Sequence, residues 1–182
     1  MAKIGIAGAG GLGSNCAQHL VRAGVDNLVI VDFDVVSGSN LNRQFFFRDQ
    51  LGQPKVEALK ENLKRIDPNA QIEIHNAKVT KENIHSLFDD CDIIVEAFDK
   101  AEAKTMLLAE MLPTKKPIVT ASGIAGVGHS NAMRVKRLGN VIAVGDEESE
   151  ISDNLPPTSP RVGIAAAMEA NAVLALLAGV EP

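Results

Sequence analysis

Apolar runs and amphipathic stretches alternate along most of this chain. "KIGIAG" reads as a short strand, and "GGLGSNCAQHLVRAG" as the helix after it, closed by Gly24. "NLVIVD" is a second strand. After a long loop, Pro54 opens a helix in "QPKVEALKENLKRIDP", with Val56, Leu59, Leu63 and Ile66 on one face and Pro68 at its end. "QIEIHNA" alternates like a strand, "DIIVEAFD" is a buried strand, "AEAKTMLLAEML" a helix and "PIVTAS" another strand. Strands alternating with helices predict a parallel sheet covered on both faces.

Beyond Gly123 the pattern changes. "MRVKRLGNVIAVGD" predicts two short strands joined at Gly139-Asn140, and the acidic, proline-containing "DEESEISDNLPPTSP" a mobile surface loop. An alanine-rich helix ends the chain, with Ser159 placed to cap it and Pro160 in its first turn. The expected fold class is α/β: a Rossmann-like, mostly parallel sheet with helices on both faces, a C-terminal antiparallel extension and a final apolar helix. With no internal repeat and no long linker, residues 1–182 are expected to form a single domain.

Composition narrows the partners. The 182 residues are 46% hydrophobic, enough for one full core. Eighteen basic and 23 acidic residues give 18 − 23 = −5, which argues against nucleic acid or a membrane surface as the main partner. The cysteines, Cys16 and Cys91, form no CxxC, so no zinc site and no disulfide scaffold is expected. The first residues lack a signal-peptide layout, and Glu169 and Asn171 interrupt the last helix as a membrane span; a soluble, cytoplasmic protein is expected.

The first candidate chemistry is "GAGGLG", which places Gly8, Gly10 and Gly13 (with Gly11 between) in GxGxxG spacing between a strand and a helix. Such a loop lets backbone approach a phosphate seated at the positive helix N-terminus. Asp32 ends the next strand, where a ribose hydroxyl partner belongs, and Asp34 follows two residues on. Up to this point the motif suits NAD and ATP equally.

Four segments break the tie. "GAGGLGS", "VDFDVVSGSNLNRQF", "GQPKVE" and "AFDKAEAK", in this order and at these separations, resemble the ThiF/MoeB/HesA family, bacterial relatives of ubiquitin-activating enzymes. The resemblance covers residues 3 to about 135 and is closest to the short ThiF-type proteins of thiamine biosynthesis. It implies ATP as cofactor with Asp32 on the ribose, phosphate-handling roles for Asn40, Arg43 and Lys55, and Mg2+ on Asp99. It further implies a homodimer that adenylates the C-terminal glycine of a ubiquitin-fold sulfur carrier, ThiS-like, in thiazole formation. These residue types suit the chemistry: Arg43 can fork onto phosphate oxygens and Lys55 supplies a compact charge at a helix start. A dehydrogenase needs none of Asn40, Arg43, Lys55 and Asp99. Taken singly, Arg43 could pair with Asp49, Lys55 could be a surface lysine and Asp99 could cap the following helix.

The chain also departs from the larger family members. It lacks their two CxxC pairs and their loop cysteine, so Cys16 and Cys91 are expected to be packing residues. The resemblance also implies an arginine carried into the partner's site by a helix ahead of the first strand; no such helix is expected here, and Arg48 or Lys100 could stand in. "FFF" at 45–47 could face the carrier or pack beneath the loop, and the glycine-rich "SGIAGVGHSN" could admit a Gly-Gly tail. Two alternatives stay open: an NAD-linked Rossmann oxidoreductase, and a non-catalytic carrier-binding relative.

Overall fold

The computed structural model describes residues 2–182. Seven strands form one sheet in the order β3-β2-β1-β4-β5-β7-β6. β1 (Ile4–Ala7), β2 (Asn27–Asp32), β3 (Gln71–Asn76), β4 (Ile93–Glu96), β5 (Ile118–Ala121) and β7 (Val141–Gly145) run parallel, and only β6 (Arg134–Leu138) is antiparallel, against β7. The expected fold class is therefore the observed one. From β1 the chain first moves outward to β2 and β3, then returns to build β4 and β5 on the other flank. The carboxyl ends of β1 and β4, paired from Ile4↔Ile93 to Ala7↔Glu96, flank the point where strand order reverses. Open α/β sheets bind ligands in that crevice.

The helices α1 (Gly11–Arg22), α2 (Lys55–Ile66) and α5 (Ser159–Ala178) cover one face; α3 (Ile84–Phe88) and α4 (Ala101–Met111) cover the other. Strand alternation feeds both cores: Ile4, Ile6, Leu28 and Ile30 meet α1, α2 and α5, whereas Ala7, Val29, Val31 and Ile94 meet Phe88, Leu107 and Met111. On α2 the stripe of Val56, Leu59 and Leu63 is fully buried and Ile66 packs at its margin, as its spacing predicts.

α5 has the length and apolarity of a membrane span, yet half of that stretch is buried inside the fold, against α1, β5 and β7. Three details differ from the sequence expectations. α3 is an extra short helix. Thr158, not Ser159, is the residue before α5; its hydroxyl donates to the Gly126 carbonyl at 2.7 Å rather than accepting from the helix, and Pro160 sits in the first turn as expected. The acidic loop is tied down: Asp146 accepts from the Glu148 and Ser149 amides at 2.9 and 2.8 Å and pairs with Arg161 of α5. Bridges Gly126–Pro157 and Ser152–Leu155 hold the rest.

Candidate functional site

The loop between β1 and α1 is shaped by two tight contacts. Gly8 has φ +105°, and a Cβ there would lie 2.9 Å from the Ala97 carbonyl oxygen. A Cβ on Gly13 would lie 1.8 Å from the Gly8 carbonyl oxygen, so the helix can press onto the strand end only with glycine there. Gly10 is different. Nothing crowds its Cβ position more closely than the Gln44 side chain at 3.9 Å, which leaves backbone open to a ligand beside the first turn of α1. The N-terminus of α1 has no side-chain cap, and no acid occupies its first turn.

Asp32 closes the loop from the side. Its Oδ2 accepts the Ala9 amide at 2.6 Å and its Oδ1 accepts the Asp34 amide at 2.8 Å. Asp34 in turn holds the Lys55 ammonium at 2.9 Å, and the Lys55 amide donates to the Asp34 carbonyl at 2.9 Å. Lys55 begins α2 and is 5% exposed, so it is not the surface lysine that its position alone would allow. The glycine loop, Asp32, Asp34 and Lys55 thus form one connected network along the sheet edge.

Arg43 reaches the same place by another route. Its Cγ and Cδ pass 3.6 and 3.8 Å from the Cβ position of Gly11. Its guanidinium donates to the Ser39 carbonyl and to Asn42 Oδ1, and among the described residues no carboxylate, Asp49 included, pairs with it. Asn40 organises the preceding turn: its Oδ1 accepts the Ser37 amide, and its carbonyl accepts the Arg43 and Gln44 amides. Of the three phenylalanines, Phe46 is buried, Phe45 half-buried and Phe47 45% exposed, its ring edge-on to Phe45 at 5.8 Å.

Asp99 stands in the turn after β4, exposed and free of hydrogen bonds or ion pairs among the described residues. It is not the cap of α4, a position held by Lys100. A single uncommitted carboxylate at the carboxyl edge suits Mg2+, which takes one or two protein oxygens together with phosphate oxygens; the fit is with a metal brought by nucleotide, not with an all-protein cage. No group of three or more metal-ligating side chains occurs among the described residues.

Several residues of the site carried no recognised signal in the sequence. Ser14 Oγ donates to the Gly10 carbonyl and accepts the Phe45 amide, and the Asn15 amide bridges the carbonyls of Gly11 and Arg43. Glu96, wholly buried at the end of β4, accepts from Lys104 Nζ, the Thr120 hydroxyl and the Phe98 amide at 2.6–2.8 Å. An acid inside the apolar run "IIVEAF" is the trace of such a buried pair. Opposite it, Glu169 of α5 is 0% exposed with neither carboxylate oxygen bonded, and desolvation pushes it well above the ordinary range. Cys16 and Cys91 are both buried, and desolvation raises both, Cys91 to about 11, which makes neither a ready nucleophile. A cleft lined by Val127, Gly128, Ser130, Thr158 and Arg161 lies between the segment that follows β5 and the start of α5.

The sequence pattern that defines the ThiF family matches residues 1–182. The molybdopterin-synthase adenylyltransferase of Haemophilus influenzae is 39% identical over 123 residues, covering 67% of this chain and 51% of the relative; that of Escherichia coli is 37% identical, covering 67% and 49%. The adenylyltransferase and sulfurtransferase UBA4 of Candida glabrata is 34% identical over 139 residues, 76% of this chain and 32% of the relative. The chain thus spans about half the length, or less, of the curated relatives it matches.

Among solved structures, the E. coli tRNA N6-threonylcarbamoyladenosine dehydratase TcdA in complex with AMP superposes with a TM-score of 0.86 at 22% identity, over 97% of this chain and 88% of that one. E. coli MccB with ATP gives 0.77 at 21% identity, over 100% and 58%. At such identity these two establish the fold alone. The whole-length pattern match and the sequence relatives establish more: this chain belongs to the ThiF family.

Proposed function

We propose that this domain adenylates the C-terminal carboxylate of a ubiquitin-like sulfur carrier protein, using ATP. The observation that carries the reading is Arg43 laid across Gly11 with no acidic partner, at the same loop whose other side is closed by the Asp32–Asp34–Lys55 network. A carrier carboxylate oxygen attacks the α-phosphorus, the bond from that phosphorus to the β-bridging oxygen breaks, and pyrophosphate leaves with the electron pair. No proton is exchanged in the step. Negative charge grows on the leaving phosphates, and Arg43 and Lys55 are the cations placed to meet it. Asp32 takes the ribose, Asn40 and the loop of Gly8, Gly10, Gly11 and Gly13 position the phosphates, and Asp99 holds Mg2+, which when bound neutralises phosphate charge.

The carrier tail is assigned to the cleft beside Gly128, where a residue without a side chain leaves room for an extended backbone. The relatives widen the choice of carrier. The resemblance implies thiamine chemistry, but molybdopterin-synthase adenylyltransferases are among the sequence relatives, so a MoaD-type carrier fits as well as a ThiS-type one. The domain is read as a homodimer, with Leu177 and Val180 at the exposed end of α5 available to a second copy. The oxidoreductase alternative rested on the glycine loop and Asp32, both of which ATP also explains.

Carrier-dependent exchange between ATP and labelled pyrophosphate tests the reading. Exchange that needs an intact Gly-Gly terminus, with either carrier type, is the expected result. ATP binding without exchange for both carriers would instead support a carrier-binding, non-catalytic domain.

A further inference from the structure

We infer that Asn15 is a positioning residue for Arg43, an inference that rests on the reaction proposed above. Its side-chain nitrogen lies 2.7 Å from the Gly11 carbonyl and 2.8 Å from the Arg43 carbonyl. A primary amide nitrogen carries two hydrogens, and here each has its own acceptor. The orientation of the amide is fixed by the same pair, because an oxygen in that place would face two carbonyl oxygens and bond neither.

The two acceptors are 32 residues apart in sequence and belong to opposite sides of the phosphate position. Gly11 begins α1, at the amide-rich helix N-terminus; Arg43 passes beside it and brings a guanidinium. Asn15 therefore ties the backbone carrying the cation to the backbone carrying the loop. Its neighbour Ser14, fully buried, fastens the next residues: Oγ donates to the Gly10 carbonyl at 2.6 Å and accepts the Phe45 amide at 3.0 Å. Between them, two consecutive side chains of one rigid helix hold residues 43–45 against residues 10–11.

Among the described residues, the Arg43 guanidinium itself is held only by neighbours in its own loop, Ser39 and Asn42, and nothing from the sheet or from another helix fixes its head. Its placement over Gly11 is thus inherited from its backbone, and that backbone is anchored by Asn15. A catalytic cation that misses its position by an ångström loses transition-state contact while ground-state binding, spread over many amides, persists.

The test substitutes Asn15 in two ways. In Asn15→Ser the hydroxyl can still bond the Gly11 carbonyl one turn back but cannot reach Arg43, and Asn15→Ala removes both bonds. Each is expected to slow pyrophosphate exchange about tenfold at saturation, with the KM for ATP within about twofold of wild type. In an Arg43→Ala background the same substitutions should cost nothing further, because no guanidinium is left to position. An equal fold-loss in both backgrounds, or no loss in the wild-type one, overturns the inference. Failure of the proposed reaction itself reads differently, as no exchange by the unmodified chain with either carrier. The Arg43 Nε–H resonance then decides: adding α,β-methylene-ATP should shift it in wild type and leave it unmoved in Asn15→Ser, and equal shifts in both overturn the inference.

Discussion

The Asp32 carboxylate accepts the Ala9 amide at 2.6 Å and so belongs to the glycine loop as much as to its own strand. One oxygen fixes the loop and the other fixes the Asp34 amide, yet each retains a lone pair for a ribose hydroxyl. Replacing it by alanine should therefore loosen the loop and remove the ribose partner together. We expect ATP affinity, read by calorimetry, to fall at least tenfold in Asp32→Ala, and Asp32→Asn to fall less because its oxygen can still accept the Ala9 amide. Equal affinity in wild type and Asp32→Ala would remove Asp32 from the site.

Arg43 should act on the rate more than on binding. In Arg43→Ala the saturated exchange rate is expected to drop by about 100-fold, with ATP affinity within about threefold of wild type. Parallel losses in rate and affinity would mean that the guanidinium binds ground state and transition state alike.

Asp99 should be felt through the metal. In Asp99→Asn the Mg2+ concentration for half-maximal exchange is expected to rise about tenfold, while metal-free ATP binds as tightly as before or more so, a like charge having gone. An unchanged Mg2+ requirement would place the metal elsewhere.

Glu169 should cost stability at neutral pH. It is buried with both oxygens unpaired; desolvation, with Glu96 adding to it and Lys104 opposing, holds its folded value well above the 4.5 of a free carboxyl. Above pH 4.5 the unfolded chain ionises this group and the folded chain does not. The penalty is absent below that pH and grows by up to about 1.4 kcal/mol per unit as pH rises toward the folded value. Glu169→Met fills similar volume without orphaned acceptors, so denaturant melts should find it more stable than wild type, by a margin that is constant below pH 4.5 and grows as pH rises to 7. A destabilised Met variant at pH 7 would point to a partner for the carboxylate.

Asp146 works with the opposite sign. Burial alone would raise it, but the Ser149 and Glu148 amides, the Ser149 hydroxyl and Arg161 outweigh that and bring it to about 2, against 3.8 for the free group. Its stabilisation is complete above pH 3.8 and is lost as pH falls through 2. A shift of this size corresponds to roughly 2 kcal/mol. Asp146→Asn should be less stable than wild type by about that amount at pH 7, the gap closing in acid; a gap that persists at pH 2 would assign the loss to packing.

Most of the sheet was legible because its strands are short apolar runs separated by amphipathic helices, and the period of each announces its type. The stripe of Val56, Leu59 and Leu63 and the hairpin at Gly139-Asn140 both stand where the pattern puts them. The nucleotide loop was legible for a steric reason, since Gly8 and Gly13 mark backbone contacts that no side chain survives. Contacts between distant segments left no such trace. Asn15 and Ser14 look like ordinary polar positions on a helix, and their importance lies in what residues 43–45 bring to them. Ser159 reads as the cap because serine suits that role, yet Thr158 is the residue before the helix, and its hydroxyl goes to Gly126, an acceptor 32 residues away. The acidic loop read as mobile because one aspartate, folded back onto a buried arginine, does not stand out among five acids.

The contact of Val162 with Gly11, whose Cβ position lies 3.0 Å from the valine Cγ1, joins the last helix of the chain to its first loop. Val162 lies 162 − 11 = 151 residues after Gly11, so the loop is synthesised well before the side chain that backs it. At about 5–20 residues per second that interval is on the order of ten seconds. Until α5 has been added, the glycine signature is present while the pocket lacks this wall, so nucleotide capture waits on α5.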